Sequence, residues 1–227
     1  MTLDTQLSDE QQSLVKTVRE FTREVVAPVS YHHDSTKTFP YEVVAQMGEM
    51  GLFGLPFSEA VGGMGGDYFA LCLALEELAK VDQSVAMTLE AGVSLGAMPV
   101  YRFGTPEQQA RFLPDLVAGK AIGAFGLTEP GAGSDAGGTR TTARLEDGEW
   151  VIDGTKAFIT NSGTTITSLV TATAVTGTTS TGKKEISSIL VPVPTAGLTV
   201  EPAYDKVGWN ATDTDPLTVD GDRVPEE

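Results

Sequence analysis

Residues 131–136 read G-A-G-S-D-A and fit the G-x-G-x-x-A pattern of a dinucleotide-binding turn. That use requires a helix next, with its N-terminus facing the pyrophosphate. The following run, G-G-T-R-T-T at 137–142, opens a strand instead and argues against a dinucleotide fingerprint. What is left is a glycine-rich turn whose backbone amides can meet a carbonyl or a phosphate. His32 and His33 are adjacent, so their rings diverge on a helix or a strand and make a poor metal pair. Cys72 lies among Leu71, Leu73 and Leu75 and reads as a small buried hydrophobe rather than a nucleophile. Glu76 and Glu77 read as helix-surface charges, not an acid/base pair. Asp213 and Asp215 are two acids without further ligands, so no metal site is expected. Asn210-Ala-Thr212 is a glycosylation sequon without secretory context. From these residues alone no reaction class follows.

The elements that must position them fall into two grammars. In the first half, S-x-x-Q at 8–11 forms a capping box ahead of Leu14, Val15, Val18, Phe21, Val25, Val26 and Val29 at helical spacing. Pro28 is read as the end of that helix. A second helix starts at Pro40 and stops at Gly51. A glycine-rich loop covers 54–66. Asp67 caps a helix over about 68–81, and another covers about 84–103. T-P-E-Q at 105–108 is a second capping box, starting a helix that Pro114 interrupts.

Near Ala121 the pattern changes: Thr rises from 8 in residues 1–120 to 20 in 121–227. Thr is β-branched and favours strands. Strands are read over 139–146, 149–152, 155–160, 166–175, 186–193, 198–201 and 217–219. Asp147-Gly148 makes a two-residue hairpin turn, and Asp153-Gly154 reads as a second turn. With no helices between them, these strands imply an antiparallel sandwich or barrel. The fold class is therefore multi-domain α and β. An all-α helical bundle over 1–120 precedes an antiparallel β domain over 121–227.

The 227 residues suffice for one large domain or two small ones, each with a core. The net charge is −16, −8 in each half, so it is a general acidic surface and not a tail. Such a surface repels phosphate backbones and anionic lipid, so neither nucleic acid nor membrane is an expected partner. No apolar run is long enough to span a bilayer, and the N-terminus carries acid where a secretory signal needs base. The single Cys excludes an internal disulfide framework. A cytoplasmic location is expected.

Two longer stretches carry a resemblance. Ala124-Phe-Gly-Leu-Thr-Glu-Pro-Gly-Ala-Gly-Ser-Asp135 is followed by Glu149-Trp-Val-Ile-Asp-Gly-Thr-Lys-Ala-Phe-Ile-Thr-Asn161. In wording and spacing the pair resembles the signature of the acyl-CoA dehydrogenase family. F-G-T-P-E-Q-Q at 103–109, F-L-P-D-L at 112–116, K-V-G-W at 206–209 and T-D-T at 212–214 extend the similarity over nearly the whole chain.

The resemblance implies a flavoprotein: a helical domain, a β domain against which FAD lies, and a second helical domain. It assigns Phe125, Gly126, Leu127 and Thr128 to one flavin contact, and Phe158, Ile159 and Thr160 to the N5 side. It assigns Ser134 to the acyl-CoA substrate, and places Thr88, Ala91 and Leu95 at the far end of the acyl pocket. Glu129 belongs to the T-E-P turn, where a structural role is expected. The implied reaction is α,β-dehydrogenation of an acyl-CoA thioester in fatty-acid β-oxidation. A carboxylate takes the α-proton and the β-hydride goes to FAD. In the family that base comes from the second helical domain, so it is expected beyond Glu227, and this chain alone is expected to be inactive. An electron-transfer flavoprotein or similar acceptor and a homo- or hetero-oligomeric state are implied as well. Two other readings keep the fold: a non-catalytic flavin-binding or assembly subunit, and an acyl-CoA oxidase or flavin monooxygenase. Asn210 stands where the family often has Arg, and Phe158 where Trp is common.

Overall fold

The computed structural model describes residues 6–226. Part of the N-terminal reading, on residues 1–5, and Glu227 lie outside the described residues. The chain groups into two compact units. One holds residues up to 90 with 117–119 and 207–212; the other holds 91–116, 120–206 and 213 onward.

The first unit is helical. Its elements are α1 (Asp9–Phe21), a π-helical segment (Thr22–Val26), α2 (Ala27–Thr36), α3 (Tyr41–Glu49), α4 (Tyr68–Ala79) and α5 (Gln83–Glu90). The Ser8 cap is a true capping box: the Gln11 amide donates to Ser8 Oγ at 3.2 Å, and the Ser8 amide donates to Gln11 Oε1 at 3.0 Å. Asp67 Oδ1 accepts from the Ala70 amide at 2.8 Å. Pro28 does not end the helix as expected. It sits in the first turn of α2, directly after the π-helical segment. The Ala27 amide reaches back five residues to the Thr22 carbonyl. The wider turn makes room for a ring that would otherwise strike the preceding turn.

Two further expectations fail in this unit. Cys72 is exposed, not buried. Glu77 is buried, because α4 turns it toward α1. Its carboxylate accepts from Arg19 at 2.9 and 3.0 Å and from Lys80 at 2.7 Å. Glu76 is exposed, as expected.

The second unit begins with another π-helical segment (Ala91–Ala97), then α6 (Met98–Phe103) and α7 (Pro106–Val117). The expected single helix over 84–103 is thus divided. Pro114 lies inside α7 without interrupting it. The Thr105 and Gln108 capping box is present.

Its sheet has seven strands: β1 (Ile122–Gly126), β2 (Thr142–Glu146), β3 (Glu149–Thr160), β4 (Thr167–Thr178), β5 (Lys184–Pro192), β6 (Leu198–Val200) and β7 (Thr214–Pro225). The order is β1-β4-β2-β3-β7-β6, with β5 on the other edge of β4. The expected antiparallel sheet is a mixed one. β1 and β4 pair in parallel, and β2 meets β4 in parallel at Thr142 and Val175. The cause is the connection: the chain leaves β1, runs through the 127–141 turn and the β2–β3 hairpin, and returns along β1 in the same direction. The other pairings are antiparallel.

The hairpin turn at Asp147-Gly148 is as expected, both residues taking positive φ (54° and 80°). Asp153-Gly154 is not a turn but a register shift inside one continuous β3. β1 escaped the sequence reading because I-G-A-F-G has one β-branched residue. It is held by packing: a Cβ on Gly123 would stand 2.7 Å from Gly96 Cα in the π-helical segment. Ile152, Ile159, Val170, Val191, Leu217 and Val224 form the core of the sheet.

Candidate active site

The geometry is built where β1 ends beside β3. Phe125 is half-buried and Gly126 buried; Leu127 and Thr128 follow as the chain leaves the sheet. Leu127 is 38% exposed. The Ala157 amide donates to the Thr128 carbonyl at 2.9 Å, which fastens this exit to β3. Phe125 also lines a groove of about 1230 Å³ together with Phe103, Phe112, Trp150 and Leu190.

Near its end β3 carries an irregularity between Lys156 and Ile159. Phe158 takes φ 61° there, a conformation that costs a bulky residue energy and clusters at functional sites. Its ring is 63% exposed and stacks on Tyr204 at 4.6 Å. The Ile159 side chain instead points into the core, 2% exposed, so only its backbone is available to a ligand. Thr160 is half-buried and pairs with Thr214. Two large apolar side chains, Leu127 and Phe158, are therefore left in solvent on adjoining segments, each next to or near a threonine. Exposed apolar surface rimmed by hydroxyls marks a ligand face.

One buried ion pair joins the two segments. Lys156 Nζ donates to Glu129 Oε1 at 2.8 Å, to the Thr173 carbonyl at 2.7 Å and to Thr173 Oγ1 at 3.1 Å. The side chains are 1% and 5% exposed. The other bonds of Glu129 come from the Arg140 amide at 2.7 Å and the Thr141 amide at 3.1 Å. Burial opposes ionisation of Glu129, but the Lys156 ammonium and the amide donors outweigh it and hold the carboxyl at about 2. Burial pushes the Lys156 ammonium down, and Glu129 opposes that. Glu129 is therefore a clamp and not a proton acceptor: its oxygens are occupied and its basicity is spent. The expected structural role of the T-E-P turn takes this form, and Thr139–Thr141, read as strand, serve it instead. Lys156 escaped the sequence reading. The one sequence signal is local: Lys156 stands directly before the apolar run Ala157-Phe158-Ile159.

The remaining residues are more dispersed. Ser134 is exposed in the 131–135 turn, where Glu129 and Ala132 exchange two backbone bonds of 3.0 and 3.1 Å. A Cβ on neighbouring Gly133 would meet nothing within 4 Å. The turn leads into a short 3-10 helix and β2, not an α-helix, as expected against a dinucleotide fingerprint. Ala91 is buried and Leu95 is 42% exposed, both on the π-helical segment of the second unit. Thr88 is fully buried on α5, in the first unit.

No group of three potential metal ligands occurs among the described residues. Asp213 accepts from the Asn161 amide at 2.9 Å and the Gly163 amide at 2.6 Å. Burial, then a hydrogen bond and charge repulsion from Asp215, raise its carboxyl to about 7 against the pull of those amides. His32 is exposed and His33 bonds Thr38 Oγ1 at 2.9 Å.

The residues fit a flavin. Its ring system is flat and apolar over its faces and polar along an edge. Leu127 and Phe158 offer exposed apolar contact, and Thr128 and Thr160 offer hydroxyls.

Comparison with known proteins agrees in both halves. Residues 8–120 match the acyl-CoA dehydrogenase N-terminal domain, and 124–221 match the middle domain. A probable acyl-CoA dehydrogenase of Bacillus subtilis, YngJ, is 46% identical over 220 residues. The match covers 97% of this chain and 57% of that protein. The butyryl-CoA dehydrogenase of Megasphaera elsdenii superposes with a TM-score of 0.92 at 37% identity, covering 99% of this chain and 59% of that one. A glutaryl-CoA dehydrogenase of Mycobacterium smegmatis, solved with FADH2, gives 0.90 at 32% identity, covering 97% and 55%. The chain thus spans a little over half the length of the relatives it matches. Taken with the signature, the two matched domains and the shared fold, this chain belongs to the acyl-CoA dehydrogenase family.

Proposed function

We propose that this chain supplies the flavin-facing wall, and one side of the substrate site, of an enzyme that dehydrogenates acyl-CoA thioesters. One observation carries the reading: exposed Leu127 and Phe158 stand beside Thr128 and Thr160, on two segments locked together by the buried Glu129–Lys156 pair. The M. smegmatis relative, which contains FADH2, supports FAD as the group held here. When bound, FAD supplies the acceptor for the substrate's β-hydride.

The chain's own residues bind and orient. Phe125, Gly126, Leu127 and Thr128 bound one side of the flavin face; Phe158, Ile159 and Thr160 bound the other, Ile159 through its backbone. The Thr128 and Thr160 hydroxyls donate toward oxygen and nitrogen atoms of the ring edge. Donors fixed before reaction stabilise charge that develops during it. Ser134, on its exposed turn, meets the acyl-CoA, and Thr88, Ala91 and Leu95 bound the acyl chain. The α-proton acceptor is not assigned to a described residue, and Glu129 is excluded by its bonds. An acyl-CoA substrate, an electron-transfer flavoprotein or similar acceptor, an oligomeric assembly and a cytoplasmic setting complete the proposal.

The test is FAD binding by the purified chain, followed by flavin absorbance and fluorescence. Removing a hydroxyl with Thr128→Val or Thr160→Val should weaken binding by about 1 kcal/mol, roughly fivefold. Binding that is absent, or indifferent to both substitutions, overturns the assignment.

A further inference from the structure

The turn after β3 is held by a device that the flavin face does not itself use. Asp213 takes the Asn161 amide on Oδ1 (2.9 Å) and the Gly163 amide on Oδ2 (2.6 Å). Asp215, 3% exposed, takes Ser162 Oγ at 3.3 Å and acts on Asp213, raising its carboxyl. Three consecutive turn residues are thus bound to one carboxyl pair. A Cβ at Gly163 would run into the Asp215 carboxylate, so the fit leaves no space for a side chain. Asn161 takes φ 64°, a conformation the two amide bonds on either side of its peptide enforce. The residue before this turn is Thr160, and it pairs with Thr214, which lies between the two aspartates.

We propose that Asp213 is a positioning residue for the candidate flavin wall: with Asp215 beside it, it fixes the 161–163 turn through the Asn161 and Gly163 amides, and through that turn Thr160. The flavin part of this statement rests on the function proposed above; the hold on the turn does not.

The sign of its pH dependence follows from the surroundings. Asp215 lies on β7, and Asp213 directly precedes that strand. From the 201–206 segment Lys206 reaches Thr214 Oγ1 at 2.8 Å, and Tyr204 stacks on Phe158. Glu201 is engaged with Thr218 at 2.9 Å, further along β7. The turn itself, Asn161, Ser162 and Gly163, contributes no ionisable side chain. Asp213 is raised from 3.8 to about 7 in the fold. The native arrangement therefore favours the protonated pair, and its advantage is lost as pH rises toward 7. Above that, a second charge beside Asp215 favours any geometry that moves the two carboxylates apart, and the turn loosens.

The experiment uses isotope-labelled full chain. The Asp213 carboxyl, the Asn161 and Gly163 amides and the Thr160 methyl are followed by NMR from about pH 5 to about pH 9. FAD affinity is measured over the same range. All four resonances should move with one midpoint near 7. Asp215→Asn should shift that midpoint down, because the amide cannot repel the Asp213 carboxylate. FAD affinity should fall by about fivefold or more across the midpoint in the native chain, and the fall should move to the lower midpoint in the variant. A Thr160 methyl that ignores the Asp213 titration overturns the proposal. So does a midpoint that Asp215→Asn leaves in place, or an FAD affinity that ignores it while FAD binds. If the chain binds no FAD at any pH, the proposed function fails, and the flavin-free resonances still decide whether Asp213 positions Thr160. The native titration needs no variant, so a misfolded Asp215→Asn protein does not rescue the idea.

Discussion

Replacing Lys156 by Met keeps most of the side chain's length and removes its charge. The Glu129 carboxylate then stays behind, 5% exposed, with two backbone amides and no cation. The Thr173 carbonyl and hydroxyl lose their donor as well. The native environment lowers Glu129 from 4.5 to about 2. At 1.4 kcal/mol per unit, that displacement corresponds to roughly 3 kcal/mol of stability at neutral pH. The Arg140 and Thr141 amides hold part of that and stay in place; breaking a buried pair from one side costs about 3–5 kcal/mol in general, so the loss expected is about 3. Because the folded value is depressed, this stability is complete above 4.5 and drains away as pH falls from 4.5 to about 2. Urea unfolding, followed through Trp150 fluorescence at several pH values, measures both effects. Lys156→Met should lose about 3 kcal/mol at pH 7 and show a flatter acid limb. The double change with Glu129→Gln should recover about half of that, since no charge remains buried. A loss under about 1 kcal/mol, or an acid limb as steep as the native one, would refute the clamp.

Three further predictions concern other parts of the chain. Glu77, held at about 2 chiefly by its hydrogen bond to Arg19, should tolerate Gln poorly. Glu77→Gln should cost about 1–3 kcal/mol by thermal denaturation, and Arg19→Ala less, its side chain being 61% exposed. Gly123→Ala should cost about 1–3 kcal/mol, because its Cβ meets Gly96 backbone at 2.7 Å, whereas Gly133→Ala should leave the melting temperature unchanged. Phe158→Gly should separate stability from binding. It gains about 1 kcal/mol by relieving a positive φ and forfeits a similar amount of stacking on Tyr204. The melting temperature should therefore barely move while FAD binding falls; a large loss of stability with intact binding would contradict the assignment.

What the sequence disclosed was local. The Ser8 and Thr105 capping boxes and the Asp147-Gly148 hairpin are each specified within four residues, and each formed as read. What it hid depended on partners far along the chain. Nothing near Glu77 says that Arg19 will cover it, and nothing near Lys156 says that Glu129, 27 positions earlier, will be buried against it. β1 is too poor in β-branched residues to declare itself and is a strand because β4 pairs with it. The exposed Leu127 and Phe158 were legible only through the family signature. Their chemistry is a matter of where two segments meet, not of either segment's composition.

The two π-helical segments have a practical consequence. Each ends two residues before a proline, Pro28 in one and Pro99 in the other. Each adds about a residue to a turn, so everything beyond it is rotated by about 100° from where an unbroken α-helix would put it. A helical wheel drawn straight through 84–103 therefore misassigns the inward face on one side of the segment. Deleting a residue from 91–97 would restore ordinary periodicity and drive Pro99 against the turn behind it. Any substitution at Ala91 or Leu95, the acyl-chain contacts proposed above, has to keep the extra residue and has to be plotted on the wider turn.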